Sequence, residues 1–222
     1  MANLQAVIFD LDGLMVDSEP LAHRAWRQVL AAWGCEMDER AFGRLIGHRL
    51  AESAQMVVDI YNLPLPAAEL AAREEAAMMA LLPTAAIPVM PGLPALLDAL
   101  NQRGLPWGVA TSSGRAYAHL ILQRLNLVER CRALATGEEV AHPKPAPDVY
   151  WLAASRLGTP PHLCLALEDS VPGARAAIAA GMVTIAVPNN GATAADFPFA
   201  HHVFGSLAQV AGRLDELLQN DR

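Results

Sequence analysis

Apolar positions along this chain change their spacing twice. Val7-Ile8-Phe9 forms an unbroken apolar run inside residues 4 to 10, which reads as a strand buried on both faces, the pattern of a central strand in a parallel sheet. From Asp17 the spacing becomes helical: Leu21, Ala25, Val29 and Ala32 stripe one face, with Ser18 at the N-cap, Pro20 in the first turn and Gly34 as the stop. Asp38 opens a second helix toward Ile46, and Gly47-His48-Arg49 makes a break. A third helix then runs from about Leu50 to Tyr61, and Pro66 opens a fourth over 67–82 that Pro83 ends. Residues 17–87 therefore hold helices and no convincing strand. They read as an all-helical insertion between the first strand and its partner.

Pro88, Pro91 and Pro94 around Gly92 mark the return, where a stiff connection would let the insertion move as a unit. Beyond it, strands and helices alternate. Strands are expected at 107–110, 133–136, 163–167, 183–187 and 202–204, with helices at 93–103, 115–125, 147–157, 174–180 and 207–219. Strands joined by helical crossovers imply a parallel sheet with helices on both faces. The expected fold is thus α/β, a Rossmann-like three-layer core from residues 1–16 and 88–222 plus a small helical domain from 17–87.

Composition narrows the function. The chain's 222 residues are 53% hydrophobic with a formal charge of −7, so no basic field is available to hold a polyanion and nucleic acid is not an expected partner. Cys35, Cys131 and Cys164 are odd in number, widely spaced and without a C-x-x-C, which argues for buried free thiols in a reducing compartment. No window offers the ~18 uninterrupted apolar residues of a membrane span, and no secretory leader is read before the first strand. A cytoplasmic monomer is expected. Of sixteen Lys and Arg residues the one lysine is Lys144, set among prolines in His142-Pro143-Lys144-Pro145-Ala146-Pro147. That placement suggests a task, while His142 reads as a loop residue.

Polar groups gather at equivalent places. Asp10 and Asp12 follow the first strand, Thr111 and Ser112 the second, Lys144 the third, and Glu168-Asp169 the fourth. Ligands of open parallel sheets bind outside these strand ends. Alternation puts Asp10 and Asp12 on one side, where two like charges need a cation between them, a shared proton, or a division of labour as nucleophile and general acid. Singly, each group also has an ordinary use: Asp12-Gly13 as a turn, Thr111 or Ser112 as the N-cap of the next helix, Lys144 as a solvated side chain. Jointly they supply attacking and proton-transferring carboxylates, hydroxyl and backbone donors, a cation, and an acidic pair for a metal. Phosphoryl transfer needs that set. An oxygen-ligated Mg²⁺ would suit Asp10, Asp169 and a substrate phosphate, with Glu168 orienting a bound water.

With Asp10-Leu11-Asp12-Gly13 and the trailing Asp17-Ser18-Glu19, Thr111-Ser112, Lys144-Pro145, and Glu168-Asp169-Ser170-x-x-Gly173, the sequence resembles the haloacid dehalogenase superfamily. The likeness is to the β-phosphoglucomutase-like branch, whose helical cap is inserted after the first strand, and it covers essentially the whole chain. The resemblance implies Asp10 as the nucleophile that forms an aspartyl-phosphate and Asp12 as general acid and base. It implies Thr111, Ser112 and Lys144 as phosphate ligands, and Mg²⁺ on Asp10, the Asp12 carbonyl and Asp169, with Glu168 assisting. Ser113, Gly114 and Arg115 would lie near the substrate.

The expected activity is Mg²⁺-dependent hydrolysis of a small phosphorylated metabolite, a sugar phosphate foremost. A phosphomutase is the first alternative and a non-catalytic sugar-phosphate sensor the second. An intact Asp10-Asp12 pair argues against the sensor, which has no use for an anion facing an anionic ligand. The mutases of this branch carry a cap-helix histidine; aligned on Arg24-Ala25-Trp26, that position is Ala22, with His23 one residue later and turned about 100° around the helix. Cap specificity candidates are His23, Arg24, Trp26, Gly47, His48 and Arg49, of which Trp26 also reads as cap core.

Overall fold

The computed structural model describes residues 4–46, 48–189 and 191–219. Among them six strands form one sheet in the order β3-β2-β1-β4-β5-β6, every neighbouring pair parallel. The strands are β1 (Ala6–Phe9), β2 (Trp107–Ala110), β3 (Ala133–Ala135), β4 (Cys164–Glu168), β5 (Val183–Ala186) and β6 (His202–Val203). The chain winds outward from β1 to β3, then returns to β4 on the other side of β1. That reversal is the topological switch where an open sheet leaves a crevice at its carboxyl edge.

The chain divides into two compact units, residues 1–17 with 88–222, and residues 18–87. In the first, all four side chains of β1 are fully buried, as expected of a strand with no polar face. Helices α7 (Asp148–Leu157) and α8 (Val171–Ala179) pack against β1 to β5. They share an apolar cluster with Ala6, Ile8, Ala110, Ala135 and Ala166. The alanines let helix and sheet approach closely. Phe9 meets Trp107 edge-to-face at 5.7 Å. The chain closes this unit at its neck: Asp17 N–H donates to the Pro88 carbonyl at 2.9 Å, Met90 N–H to that of Met15 at 3.0 Å. Asp17 thereby sits with the sheet unit rather than with the helices that follow it.

The second unit contains α1 (Glu19–Leu30), α2 (Glu39–Gly43), α3 (Leu50–Tyr61) and α4 (Ala67–Leu81) around a cluster of Trp26, Val29, Leu30, Met37, Phe42, Val57 and Leu70. The Asp38 side chain caps α2 through Ala41 N–H at 2.7 Å. Ser18 stands at the N-cap of α1 but makes no side-chain cap bond, because its backbone is already helical (φ −88°, ψ −9°). Gly34, at φ +66°, ends the turn after α1 in a conformation open chiefly to glycine.

Three expectations need correction. The last helix is two, α9 (Leu207–Gly212) and α10 (Leu214–Leu218), separated where Arg213 leaves helical geometry (φ −116°) directly after the weakly helix-forming Gly212. Helix α8 starts at Val171 rather than 174, since Ser170 caps it by accepting from Gly173 N–H. The remaining helices, α5 (Leu93–Gln102) and α6 (Arg115–Arg124), match within a residue. All three cysteines are free thiols, but Cys35 and Cys131 are half-buried and Cys164 alone is buried. No helix among the described residues is long and apolar enough to cross a membrane.

Candidate active site

Backbone ladders fix the carboxyl ends of the central strands before any side chain contributes. Asp10 N–H donates to the Leu167 carbonyl at 3.0 Å, Thr111 N–H to that of Ala135 at 3.0 Å, and Val187 N–H to that of Glu168 at 2.7 Å. Sheet geometry therefore holds the residues that leave β1, β2 and β4. Lys144 arrives from the loop between β3 and α7 and is 6% exposed, with its ammonium 2.5 Å from Asp10 Oδ1, 2.6 Å from Glu168 Oε1 and 3.0 Å from the Ala110 carbonyl. The sole lysine is thus no solvated loop residue. Asp10, Glu168 and Asp169 each offer an oxygen, all within 4.8 Å of one another.

The charges in this cluster do not balance. Three buried carboxylates face one ammonium, and a buried charge without a partner is costly enough to be neutralised. Burial pushes the Asp10 carboxyl up to about 7, with Lys144 pulling it down and the Glu168 charge adding to the rise. Asp169 is pushed well above the carboxylate range by burial and by Asp10 and Glu168. Burial works against the Lys144 ammonium, but Asp10 and Glu168 outweigh it and hold its pKa above the usual lysine range. A hard divalent cation on the all-oxygen set of Asp10, Glu168 and Asp169 would cancel the surplus negative charge. Donor chemistry and charge both fit one.

Glu168 is held from all sides. Tyr150 Oη donates to Oε1 at 2.9 Å, while Ser170 donates to Oε2 from both its N–H (3.1 Å) and its hydroxyl (3.0 Å). A Cβ on Gly173 would overlap this carboxyl group. The spacing Glu168-x-Ser170-x-x-Gly173 follows from that packing: serine caps the helix and orients the glutamate, and glycine leaves it room. The sequence offered no sign of Tyr150, since a tyrosine on an amphipathic helix reads as core until its hydroxyl finds a partner.

Asp12 is half-buried and accepts from two hydroxyls, Ser113 Oγ to Oδ2 at 2.8 Å and Tyr117 Oη to Oδ1 at 2.7 Å. Thr111 is buried and its Oγ1 accepts from Ser113 N–H at 3.0 Å, whereas Ser112 is exposed. Neither caps α6, whose N-cap is Gly114. Gly137 lies so near this loop that a Cβ there would overlap the Ser112 carbonyl. Asn189, also unforeseen, donates to the Gly13 carbonyl at 2.9 Å and steadies the turn after Asp12. Arg115 is exposed and pairs with Glu139 at 3.2 Å; hydrogen bonds from Arg156 hold that carboxyl down at about 2. His142 is an exposed loop residue paired with Asp148 at 2.9 Å.

Within the helical unit, Trp26 is buried in the apolar cluster, so its indole packs. His23 is used there too: Nε2 is 3.0 Å from the Met37 carbonyl, and the ring stacks on Phe42 at 4.6 Å. His48 is exposed beside Glu52 at 3.5 Å, and the exposed Arg49 gives its N–H to Glu52 Oε2 at 3.3 Å. Gly47 lies outside the described residues. Arg24 is exposed.

A parallel sheet gathers acid groups and a buried lysine at the carboxyl edge of its central strands, where an α/β core places a ligand site, and the acidic cluster there fits a divalent cation. Residues 4–181 match the family model described as haloacid dehalogenase-like hydrolase, and the chain belongs to that family. It is 34% identical over 181 residues to the fructose-1-phosphate phosphatase YqaB of Escherichia coli, covering 82% of this chain and 95% of that one. It is 35% identical over 188 residues to hexitol phosphatase B of Escherichia coli, covering 82% and 83%. Among solved structures, CbbY from Rhodobacter sphaeroides in complex with phosphate superposes with a TM-score of 0.77 at 27% identity, covering 93% of this chain and 96% of that one.

Proposed function

We propose that the protein is a Mg²⁺-dependent phosphatase that hydrolyses a small phosphorylated sugar or polyol through an aspartyl-phosphate on Asp10. The reading rests on one observation above the others: a buried lysine clamped between Asp10 and Glu168, with Asp169 in the same cluster and surplus negative charge left over. The similarity to fructose-1-phosphate and hexitol phosphatases supports the substrate class.

Each residue has a task that its surroundings favour. Asp10, ionised beside Lys144, attacks phosphorus in line with the leaving oxygen while Asp12 gives that oxygen a proton. Thr111, Ser112 and the Lys144 ammonium hold the equatorial oxygens, where charge accumulates in the transition state. In the second half Asp12 takes a proton from the attacking water and the Asp10–phosphorus bond breaks. Mg²⁺, held by Asp10, Asp169 and the Asp12 carbonyl with Glu168 behind them, supplies further charge neutralisation when bound. We assign phosphoryl chemistry to the sheet unit and choice among substrates to the helical unit. The protein is further proposed to act as a cytoplasmic monomer, a location that three unpaired thiols favour.

Hydrolysis is favoured over a mutase reaction by His23, whose ring is occupied by Met37 and Phe42 inside its own unit. Turnover of p-nitrophenyl phosphate that disappears with EDTA, returns with Mg²⁺ and is absent in Asp10→Asn is expected, followed by a screen of hexose and hexitol phosphates. Wild-type protein inert toward all of them refutes the reading. Glucose 6-phosphate forming from β-glucose 1-phosphate and catalytic 1,6-bisphosphate much faster than inorganic phosphate would favour the mutase.

A further inference from the structure

Asp12 must do opposite things in the two halves of the proposed reaction, giving a proton to the leaving oxygen and then taking one from water. Its carboxyl group must therefore keep one orientation through a change of protonation state. Each of its oxygens accepts from a different hydroxyl, Ser113 Oγ at 2.8 Å and Tyr117 Oη at 2.7 Å. These two bonds fix the side chain at two points.

The anchors are themselves anchored. Ser113 N–H is bound to Thr111 Oγ1 at 3.0 Å, which ties Asp12 to the loop assigned to the phosphoryl group. Tyr117 is buried in the first turn of α6, on the same side as Ala118, Ile121 and Leu122, so its ring is held by packing. A hydroxyl can donate to a carboxylate and, after rotation of one O–H bond, accept from a carboxylic acid. A lysine or arginine in its place could serve only the anion. The two hydroxyls can follow Asp12 through both states without movement of any heavy atom.

We propose that Tyr117 is a positioning residue that acts through Asp12, holding its carboxyl group against the phosphate-binding loop in the orientation both half-reactions require. The proposal rests on the phosphatase reading. It assigns a role to a residue outside the strand-end motifs.

Tyr117→Phe removes the hydroxyl and keeps the ring. Loss of one hydrogen bond to a charged group is expected to lower kcat about tenfold with KM unchanged, and a thermal midpoint that falls by only a few degrees shows that the fold persists. The separating measurement is made in an Asp12→Asn background with p-nitrophenyl phosphate, whose leaving group departs without a proton. There Tyr117→Phe is expected to cause no further loss, because the group it acts through is already disabled. Losses that multiply in the double variant would overturn the inference, as would wild-type kcat in Tyr117→Phe alone. Failure of the phosphatase reading looks different: wild-type protein then shows no Mg²⁺-dependent turnover, and both readings fall together.

Discussion

Replacing Lys144 by alanine removes a buried cation from between two carboxylates, Asp10 and Glu168, that it touches at 2.5 and 2.6 Å. Deleting one partner of a buried ion pair costs about 3–5 kcal/mol, because the remaining charge is stranded in a dry site. That cost carries a pH signature. Asp10 has a folded-state pKa of about 7 against an ordinary 3.8; it binds its proton more tightly folded than unfolded, so its contribution to stability falls as pH rises from about 4 to about 7. Without the ammonium the folded pKa rises further. The deficit of Lys144→Ala relative to wild type is therefore smallest near pH 4, where the Asp10 carboxyl is protonated in both proteins. It grows to the full ~3–5 kcal/mol by about pH 8. Urea unfolding of both metal-free proteins across this range measures it. In turnover, loss of about 3 kcal/mol of transition-state stabilisation lowers kcat/KM about 150-fold, with KM rising and kcat falling together. Lys144→Arg restores neither fully, since a planar fork does not replace a point charge between two oxygens. A deficit below about 1 kcal/mol at pH 8, or one equal at both ends of the range, refutes the electrostatic account. Near-wild-type turnover refutes the phosphate role.

Asp10→Asn should abolish turnover and leave the fold intact, while Asp12→Asn should be severe but accumulate phosphoenzyme, detectable by mass; a tenth of wild-type activity retained in Asp10→Asn would remove the nucleophile assignment. Gly173→Ala places a methyl on the Glu168 carboxyl group, and should destabilise the protein by about 1–3 kcal/mol and raise the Mg²⁺ concentration needed for half-maximal activity; an unchanged metal requirement counts against Glu168 as part of the metal site. Glu74, 5% exposed on the Leu70-Glu74-Ala77 stripe of α4, is pushed up to about 7 by burial, with Glu75 adding to the rise. A raised acid stabilises the fold fully below its unfolded pKa of about 4.5 and less as pH rises through 7, so Glu74→Gln should gain about 3 kcal/mol on wild type between those limits. A difference between the two proteins that is flat with pH in the same unfolding series would show that the carboxyl is not held in an apolar setting.

Sequence determined the alternation of strands and helices, the helical insertion read at residues 17–87, one residue earlier than the compact unit begins, and the strand-end positions of the polar groups. These follow from local rules: an apolar run makes a central strand, three-and-four spacing makes a helix, and proline and glycine end them. Even the lone lysine stood out by composition alone. What the sequence could not determine is which groups touch. That Lys144 spans Asp10 and Glu168 depends on β1 and β4 being neighbours, a pairing between residues far apart in the chain. Tyr150 and Tyr117 became visible only when helix packing aimed each hydroxyl at a carboxylate. His23 and Trp26, open on sequence grounds to a ligand-binding use, were assigned to packing by their neighbours in the helical unit. Even the break between α9 and α10 needed the backbone, because one glycine in an apolar periodic segment is usually tolerated. Local pattern specifies elements and their ends. Hydrogen-bond partners, burial and the charge balance of the site come from contacts between distant residues, and those exist only once the sheet is assembled.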